Sequence, residues 1–402
     1  YTQFRYADFL GWHPEKNAML IYTRFGETYQ IHQLTSAGGA RQQLTFSAEN
    51  IFQGSFDQLK GGFFLYSEDK GGDENYQVYK FDFKTNKRRL LTDGGSRNVN
   101  VRWSNDGKYF TCESNRKHEN SMDIWLNNPH AETPAQLLME SNGVEMNVMD
   151  WSADNTKLLI KEFISENESY LWILDIRTKQ KKLITPKLSG KQFSIGFAKF
   201  GGDENTVFLT TDYESEFNQL CKLNTLTGAL TPLFKNSKWD VEEFDISNNR
   251  KKIIYSVNKD GYSHLKLYSI LTNSVTDFTN IPIGVIAHLK WNKAGTEVGF
   301  MFTSPQILFD AHSYNVINKK LIRWTFGEAG GLSTETFAKA DIIKWKGFDG
   351  LPLSGFIYKP QMNTRVKRPV LIEIHGGPEA QARPEFLQSN NYLINELGLV
   401  II

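Results

Sequence analysis

A repeat of about 47 residues fills most of the sequence and constrains the fold more than any other feature. Each copy has an aromatic landmark residue, a polar turn and then an apolar segment. The two clearest copies, WSNDGKYFTC from Trp103 and WSADNTKLLI from Trp151, align without a gap. The seven landmarks are 44 to 49 residues apart: Trp12, Phe56, Trp103, Trp151, Phe200, Phe244 and Trp291. An internal repeat of this length indicates an architecture in which each copy is one structural unit.

The position seven residues after each landmark predicts where the second strand of that copy begins. It is apolar in six copies: Met19, Phe63, Phe110, Leu158, Val207 and Val298. In the remaining copy it is Lys251, where we expect the strand to begin slightly later. We interpret the landmarks as core residues between units rather than ligand-binding residues, because large aromatic side chains dominate core burial.

A second motif recurs between the landmarks: an alternating strand, a turn and a short strand that often ends in Leu-Thr. Examples are YQVYKFDFKTNKRRLLT and YLWILDIRTKQKKLIT. The period-two alternation predicts half-buried antiparallel strands. Each copy therefore supplies four strands, and four-stranded units at this spacing are typical of propeller blades. The sequence predicts a mainly β fold with a seven-bladed β-propeller at residues 1–334.

The character of the sequence changes after residue 334. The segment ADIIKWKGFDGLPLSGFIYKP predicts a β-hairpin, and the apolar run PVLIEI predicts a strand covered on both faces. A glycine loop, His375-Gly376-Gly377-Pro378, follows at once. Apolar residues at helical spacing then predict a helix that stops at Gly398, before a buried strand LVII. Those apolar residues are Phe386, Leu387, Leu393, Ile394 and Leu397.

Strand, glycine loop, helix and strand predict the start of an α/β sandwich at residues 335–402. Acyl-transfer enzymes stabilise an oxyanion with backbone N–H groups on a tight turn, and glycine lets that backbone approach the substrate closely. In α/β-hydrolases an HGGG-type loop early in the sheet supplies one such donor. The sequence HGGP fits that place, although a Gly-Gly-Pro turn is more often only a turn.

The order of these features resembles the prolyl oligopeptidase family of serine peptidases, and is most similar to its acylaminoacyl-peptidase-like bacterial branch. A propeller, a hydrolase-type hairpin and a strand ending in HGGP carry the resemblance, together with WHPEKNAMLIYTRFGETYQIHQL and GGARQQLTF. It implies an α/β-hydrolase domain that cleaves short peptides through an acyl-enzyme, behind a propeller that restricts access. It also implies that Gly377 supplies an oxyanion-hole N–H and Gly376 shapes the loop. His375 and Pro378 would fix the loop's course; the alternative for His375 is a structural histidine beneath the loop.

The sequence departs from this family because it contains no GxSxG nucleophile motif. It ends about two dozen residues after the glycine loop, so we expect an incomplete hydrolase domain at residues 335–402 and a fragment of a longer enzyme. Without nucleophile, acid and base, the fragment is expected to be inactive. The sequence leaves open whether an eighth blade precedes Tyr1. Proteolysis is expected to trim the tail back towards the 330s.

Charge and composition argue against several partners. The formal net charge is +1, from 46 basic and 45 acidic residues that are interspersed, so neither nucleic acid nor an anionic membrane surface is expected to bind. No apolar stretch approaches the roughly 18 residues needed to span a bilayer. Eight histidines without paired spacing predict no metal site, and no organic cofactor is implied. The acidic loop KGGDENYQ is interpreted as a solvated hairpin loop rather than a site for a substrate's amino terminus.

Two other functions stay open on the sequence. A TolB-like propeller that binds protein partners fits residues 1–334 equally well, but such a module has no reason to continue into a glycine loop. An esterase of the same fold would share the oxyanion and nucleophile machinery of a peptidase. The resemblance favours a periplasmic or secreted location and leaves a cytoplasmic one open, and the oligomeric state is not specified.

Overall fold

The computed structural model describes residues 1–187, 190–234, 237–361, 367–377 and 379–402. These residues form eight four-stranded sheets. Seven of them, called sheets 1 to 7 in chain order, each consist of four consecutive strands that pair antiparallel with their neighbours. A short strand, β1 (Phe4–Arg5), precedes sheet 1.

The strands of the seven sheets follow one another without any exchange between sheets. Sheet 1 contains β2 (Ala7–Trp12), β3 (Met19–Thr23), β4 (Gln30–Leu34) and β5 (Gln42–Gln43), and sheet 2 contains β6 (Ile51–Phe56), β7 (Phe63–Glu68), β8 (Gln77–Asp82) and β9 (Lys87–Leu90). Sheet 3 contains β10 (Asn98–Trp103), β11 (Phe110–His118), β12 (Ser121–Asn127) and β13 (Gln136–Met139). Sheet 4 contains β14 (Glu145–Trp151), β15 (Lys157–Ser165), β16 (Glu168–Asp175) and β17 (Lys181–Leu183). Sheet 5 contains β18 (Ile195–Phe200), β19 (Thr206–Thr211), β20 (Gln219–Asn224) and β21 (Leu230–Pro232). Sheet 6 contains β22 (Asp240–Ile246), β23 (Lys252–Lys259), β24 (Tyr262–Ser269) and β25 (Ser274–Asp277). Sheet 7 contains β26 (Val285–Trp291), β27 (Glu297–Ser304), β28 (Ile307–Asn315) and β29 (Lys320–Arg323).

Each landmark aromatic lies in the apolar core between two neighbouring sheets. Among the described residues, seven core clusters each join two neighbouring sheets, and each contains one landmark. One cluster joins Phe9 and Trp12 of sheet 1 to Trp324, which follows the last strand of sheet 7, so the sheets close into a ring. The interpretation of the landmarks as core residues is confirmed, as is a mainly β, propeller-like fold of four-stranded units.

The second strands begin where the repeat predicts. The six apolar residues at the seventh position are at most 5% exposed, and each lies at the first or second position of its strand. In sheet 6 the strand does begin later, at Lys252. There Ile246 pairs with Ile253, as Trp103 pairs with Phe110 in sheet 3. Ile246, rather than Phe244, therefore occupies the place of the landmark in sheet 6.

The first strand of every one of these seven sheets carries a β-bulge. In each, the register against the second strand shifts by one residue. A bulge bends the strand and redirects a side chain. The first strands line two cavities of about 630 and 540 Å³ in the middle of the ring, which share the lining residues Leu10, Ser55 and Lys290. The two cavities together form one central channel.

Four landmark tryptophans also tie neighbouring sheets together by hydrogen bonds. In each case the indole N–H donates to the first strand of the preceding sheet around the ring, at 2.9 to 3.2 Å. The donor and acceptor pairs are Trp12 with the Lys290 carbonyl, Trp103 with Ser55 Oγ, Trp151 with the Arg102 carbonyl and Trp291 with the Asp245 carbonyl. A buried indole N–H needs such a partner, so tryptophan adds a polar contact to the apolar packing.

The eighth sheet belongs to the tail and differs from the others in strand order. The tail elements are β30 (Glu328–Ala329), a 3₁₀ helix (Thr334–Thr336), β31 (Ala340–Lys346), β32 (Pro352–Tyr358), β33 (Val370–Leu371), α1 (Asn390–Asn395) and β34 (Val400–Ile401). The order is β31-β32-β34-β33, with β33 and β34 parallel, while β30 pairs with β1. The predicted hairpin is confirmed by β31 and β32. In the described part of the tail there is one parallel pair and one α-helix, rather than a complete α/β domain.

Two expectations for the tail are wrong. The run PVLIEI forms a strand of only two residues, and Ile372 and Ile374 are 67% and 83% exposed, because the sheet ends at β33 and none of the described elements covers them. The helix begins later than its apolar spacing predicts, since Phe386 precedes it and packs against the ring instead. The stop at Gly398, where φ is +68°, and the buried strand at Ile401 are confirmed. No helix in the described ranges is long and apolar enough to cross a membrane.

The packing of the tail predicts where proteases cut. Most described residues between 367 and 382 are exposed. Phe386 follows this stretch, whereas Ala329 and Phe337 precede it, and all three pack together with Leu308 of the ring. The tail is therefore anchored to the ring on both sides of residues 367–382. We therefore expect limited proteolysis to cut first within residues 367–382, rather than in the 330s, because cleavage needs exposed and poorly packed backbone. Mass spectrometry of the earliest fragments checks this. First cuts in the 330s or inside residues 7–323 would contradict it.

Candidate functional site

The glycine loop lies at the carboxyl end of the parallel pair. The ladder continues beyond the two strands, because the amide of Ile402 donates to the Leu371 carbonyl at 2.9 Å and the amide of Glu373 donates to the Ile402 carbonyl at 2.8 Å. The loop then starts two residues later, at His375. The end of a strand is where an α/β arrangement presents a binding loop.

The described part of the loop is exposed and its backbone N–H groups are free. His375, Gly376 and Gly377 are all exposed, and neither glycine amide donates to an acceptor within the described ranges. Gly377 has φ of +141°, and a Cβ there would lie 2.7 Å from the amide nitrogen of Glu379, so only glycine fits. Pro378 lies outside the described residues.

His375 does not lie beneath the loop. Its side chain is exposed, and its Nδ1 is 3.0 Å from the carbonyl oxygen of Gly376. This contact involves only the neighbouring residue. The alternative of a buried structural histidine is therefore wrong, whereas a role in the course of the loop stays a prediction.

The segment after the glycine loop is bonded to sheet 6 of the ring. Asn258 Nδ2 donates to Gln381 Oε1 at 2.6 Å. The Arg383 guanidinium pairs with Glu242, on the first strand of that sheet. The glycine loop is thus held at one end by the tail sheet and at the other by the ring.

The residue before each landmark position forms what we call the channel ring, and five of its members are charged. They are Gly11, Ser55, Arg102, Asp150, Lys199, Asp245 and Lys290. From Ser55 to Lys290, each contacts the next sheet around the ring at 2.6 to 3.4 Å. For example, Lys199 Nζ donates to Asp245 Oδ1 at 2.6 Å, and Lys290 Nζ donates to the Leu10 carbonyl at 2.6 Å. Burial and the nearby Arg102 lower the pKa of Lys290.

The mouth of the channel on the tail side, called the near mouth, holds Asp8, Glu243 and His288. Glu243 accepts the amides of His288 and Leu289, both at 2.8 Å, and burial raises its pKa to about 7. His288 Nδ1 is 3.0 Å from Asp8 Oδ1, and this hydrogen bond raises the pKa of His288. The charge of the near mouth therefore changes around neutral pH.

The opposite mouth, called the far mouth, is bridged by two long cationic side chains. Arg250 of sheet 6 donates to the Phe200 carbonyl at 2.9 Å and is 3.4 Å from Asp150 Oδ2 in sheet 4. Lys293, after the first strand of sheet 7, donates to the carbonyl oxygens of Gln58 and Leu59, at 3.2 and 3.3 Å. The contact of Arg250 with Asp150 and the bonds of Lys293 join sheets that are not neighbours, so they narrow the far mouth.

The comparison with sequence families decides the identity of the ring. The family described as prolyl oligopeptidase, N-terminal beta-propeller domain, matches residues 58–317, from sheet 2 to sheet 7. The chain belongs to the prolyl oligopeptidase family. Among curated proteins, no sequence matches this member of the family.

Solved structures with the same fold include several peptidases, at identities of 11 to 13%. A structure from work on two prolyl endopeptidases and their inter-domain dynamics has a TM-score of 0.80 at 13% identity, over 98% of this chain and 61% of that one. A puromycin-hydrolyzing peptidase from Mycobacterium tuberculosis has a TM-score of 0.77 at 11% identity, over 100% and 65%. Prolyl oligopeptidase B from Galerina marginata, bound to a 35mer substrate, has a TM-score of 0.78 at 11% identity, over 98% and 61%. The present chain thus spans between 61% and 65% of the length of these structures.

Sequence reasoning missed the charged residues of the channel in this prolyl oligopeptidase family member. The signal was present, because the residue before the landmark faces the opposite way from a core residue on the same strand. The acidic loop at residues 70–77 is largely exposed, in keeping with a solvated loop. Within the described residues, no cluster of three or more histidine, cysteine or acidic side chains could hold a metal ion.

Proposed function

We propose that this chain is the propeller and the beginning of the α/β-hydrolase domain of a serine-type oligopeptidase that hydrolyses short peptides. The observation that carries the proposal is one continuous chain in which a family propeller leads into a parallel pair of strands and an exposed glycine loop. A propeller alone fits many functions. The glycine loop is what favours acyl-transfer chemistry.

In the proposed mechanism, the backbone N–H of Gly377 stabilises the oxyanion of the tetrahedral intermediate. Gly376 keeps the loop narrow, and His375 and Pro378 set its course. Two observations support this role: Gly377 has a left-handed backbone, and the amides of Gly376 and Gly377 donate to no acceptor among the residues that the structure describes. An oxyanion hole needs N–H groups that are not already bonded. The nucleophile, the general base and the acid that orients it would come from sequence other than these 402 residues, which contain no GxSxG.

The propeller would restrict which substrates reach the glycine loop. Two features support this role: the two cavities of the channel are small, and Arg250 and Lys293 bridge its far mouth. A folded protein domain is wider than cavities of about 630 and 540 Å³ allow, whereas an extended peptide is not. Short peptides are therefore the proposed substrate class.

A fluorophosphonate probe tests the proposed chemistry, because it labels only a serine activated as a nucleophile. We expect the full-length gene product to be labelled at one serine, and the 402-residue chain to remain unlabelled. An unlabelled but active full-length protein would contradict acyl-enzyme chemistry, and labelling of the 402-residue chain would contradict its predicted inactivity. Hydrolysis of matched peptide and ester substrates separates an oligopeptidase from an esterase of the same fold.

A further inference from the structure

The side chain of Arg383 in the tail makes four hydrogen bonds to the ring. Its Nη1 bonds to Glu242 Oε1 and its Nη2 is 3.4 Å from Glu242 Oε2, so the guanidinium and the carboxylate meet through both pairs of atoms. Nε also donates to the Gly261 carbonyl at 2.5 Å, and Nη2 donates to Ser263 Oγ at 3.1 Å. The side chains of Arg383 and Glu242 are only 16% and 24% exposed. Such a two-pronged, largely buried pair fixes orientation as well as distance.

Glu242 reaches Arg383 because of the bulge in sheet 6. The register of β22 shifts between Val241 and Glu243, so Glu242 is the additional residue of the bulge. Glu243 binds the amides of His288 and Leu289 in sheet 7, whereas Glu242 binds the tail. The bulge thus gives two consecutive carboxylates two different partners.

Arg383 follows the glycine loop closely, with only five residues between Gly377 and Arg383. On the other side, Glu373 is fixed by its bond to Ile402. Within the described part of residues 374–382, the ring is otherwise contacted by the side chain of Gln381. Without the bonds of Arg383, the single hydrogen bond of Gln381 would hold the end of the loop to the ring ahead of Phe386.

We infer that Arg383 and Glu242 are positioning residues, which set the place of the Gly377 N–H by tying the glycine loop to the propeller. The inference rests on the proposed function and deepens it. The oxyanion donor is correctly aimed only while the propeller is docked on the tail. A misplacement of about 1 Å at a catalytic group lowers the rate by about 100-fold.

The test uses Arg383→Ala, Arg383→Lys and the charge swap Arg383→Glu with Glu242→Arg. In the 402-residue chain, the bonded amides nearest Arg383 are those of Glu385, which donates to the Arg383 carbonyl, and Phe386, which donates to Thr303 Oγ1. Hydrogen exchange of these two amides should rise about tenfold or more in Arg383→Ala, the factor expected for losing one charge-assisted hydrogen bond. Arg383→Lys should give a smaller rise, because lysine cannot make the two-pronged contact. The swap should restore much of the protection. Arg97→Ala, which breaks the exposed pair with Glu74, is the matched control and should leave exchange of the Glu385 and Phe386 amides unchanged.

In the full-length protein, Arg383→Ala should lower kcat by about 100-fold while KM stays within about threefold, since binding groups elsewhere are untouched. A purely structural tether would raise exchange without changing kcat, and that result would overturn the inference. Unchanged exchange of the Glu385 and Phe386 amides in Arg383→Ala would overturn it as well. The proposed function fails on a different result, absence of serine labelling in the full-length parent, which the exchange measurement does not affect.

Discussion

Replacement of Trp324 by alanine should destabilise the protein by about 3–5 kcal/mol, the usual cost of removing a buried tryptophan. Trp324 is 1% exposed, and its ring centroid is 5.6 Å from that of Trp12 in an edge-to-face contact. Its indole N–H donates to Ser313 Oγ at 2.8 Å. Alanine would therefore leave a cavity where sheet 7 meets sheet 1 and remove the bond that Ser313 Oγ accepts, while that hydroxyl keeps its bond to Glu297.

This interface differs from the other six because sheets 7 and 1 are not consecutive in the chain, so the ring closes here through non-covalent contacts alone. No strand is shared between sheets 1 and 7. The main-chain links are the two-residue pair of β1 with β30 and the bond from the Gly38 amide to the Trp324 carbonyl, at 3.0 Å. Packing must supply the rest. A Cβ at Gly299 would lie 2.3 Å from the Phe9 ring, so Gly299→Ala should weaken the same interface by overpacking.

Urea unfolding followed by far-ultraviolet circular dichroism measures the effect of Trp324→Ala. The matched control is Trp345→Ala on the tail sheet, where the side chain is 45% exposed. Its effect should stay below about 1 kcal/mol, as for most surface substitutions. Equal losses of stability in the two variants would show that closure of the ring does not depend on this core.

The repeat makes the ring predictable from sequence because it records the same burial pattern seven times. In six copies the aromatic landmark ends the first strand, and the apolar residue seven positions later lies at the start of the second strand. Trp103 and Phe110 are an example. Sheet 6 shows where this fails. Its aromatic residue, Phe244, is buried two positions before the true landmark place at Ile246, and only the strand register distinguishes them.

The bulges and the docking of the tail were not predictable, for different reasons. A bulge common to all seven first strands leaves the spacing of the repeat unchanged, so no irregularity marks Glu242 in the sequence. Docking depends on contacts between distant segments, such as Arg383 with Glu242, and neither residue has a local pattern. The apolar run before His375 predicted burial, yet exposure depends on which other elements are present to cover it.

A second large effect is expected from pH, through Glu113 between sheets 3 and 4. Glu113 is 1% exposed, and its Oε1 accepts bonds from Asn100 Nδ2 at 3.0 Å and from the Val148 amide at 2.8 Å. Oε2 has no hydrogen-bond partner among the described residues. Burial penalises the charged form and raises the pKa of Glu113 from its ordinary 4.5 to about 7.

The direction of the effect follows from which state binds the proton more strongly. Between pH 4.5 and about 7, the folded protein keeps the Glu113 proton whereas the unfolded chain has lost it. The contribution of this group to stability is therefore fully present below pH 4.5 and falls as the pH rises to about 7. The shift corresponds to a loss of about 3 kcal/mol in the free energy of unfolding.

Glu113→Gln should remove this part of the pH dependence. Its free energy of unfolding, compared with that of the parent, should improve by up to about 3 kcal/mol between pH 4.5 and pH 8, because glutamine does not ionise. The amide of the glutamine adds a buried N–H without a partner, but this lowers stability equally at every pH. The test is therefore the change in the free energy of unfolding with pH, not its absolute value. Urea unfolding of parent and variant across this range measures the slope, with the exposed Glu119→Gln as control. If the free energies of unfolding of Glu113→Gln and of the parent changed in parallel with pH, the prediction would be wrong. Ionisation of the buried Glu113 would then not destabilise the folded protein.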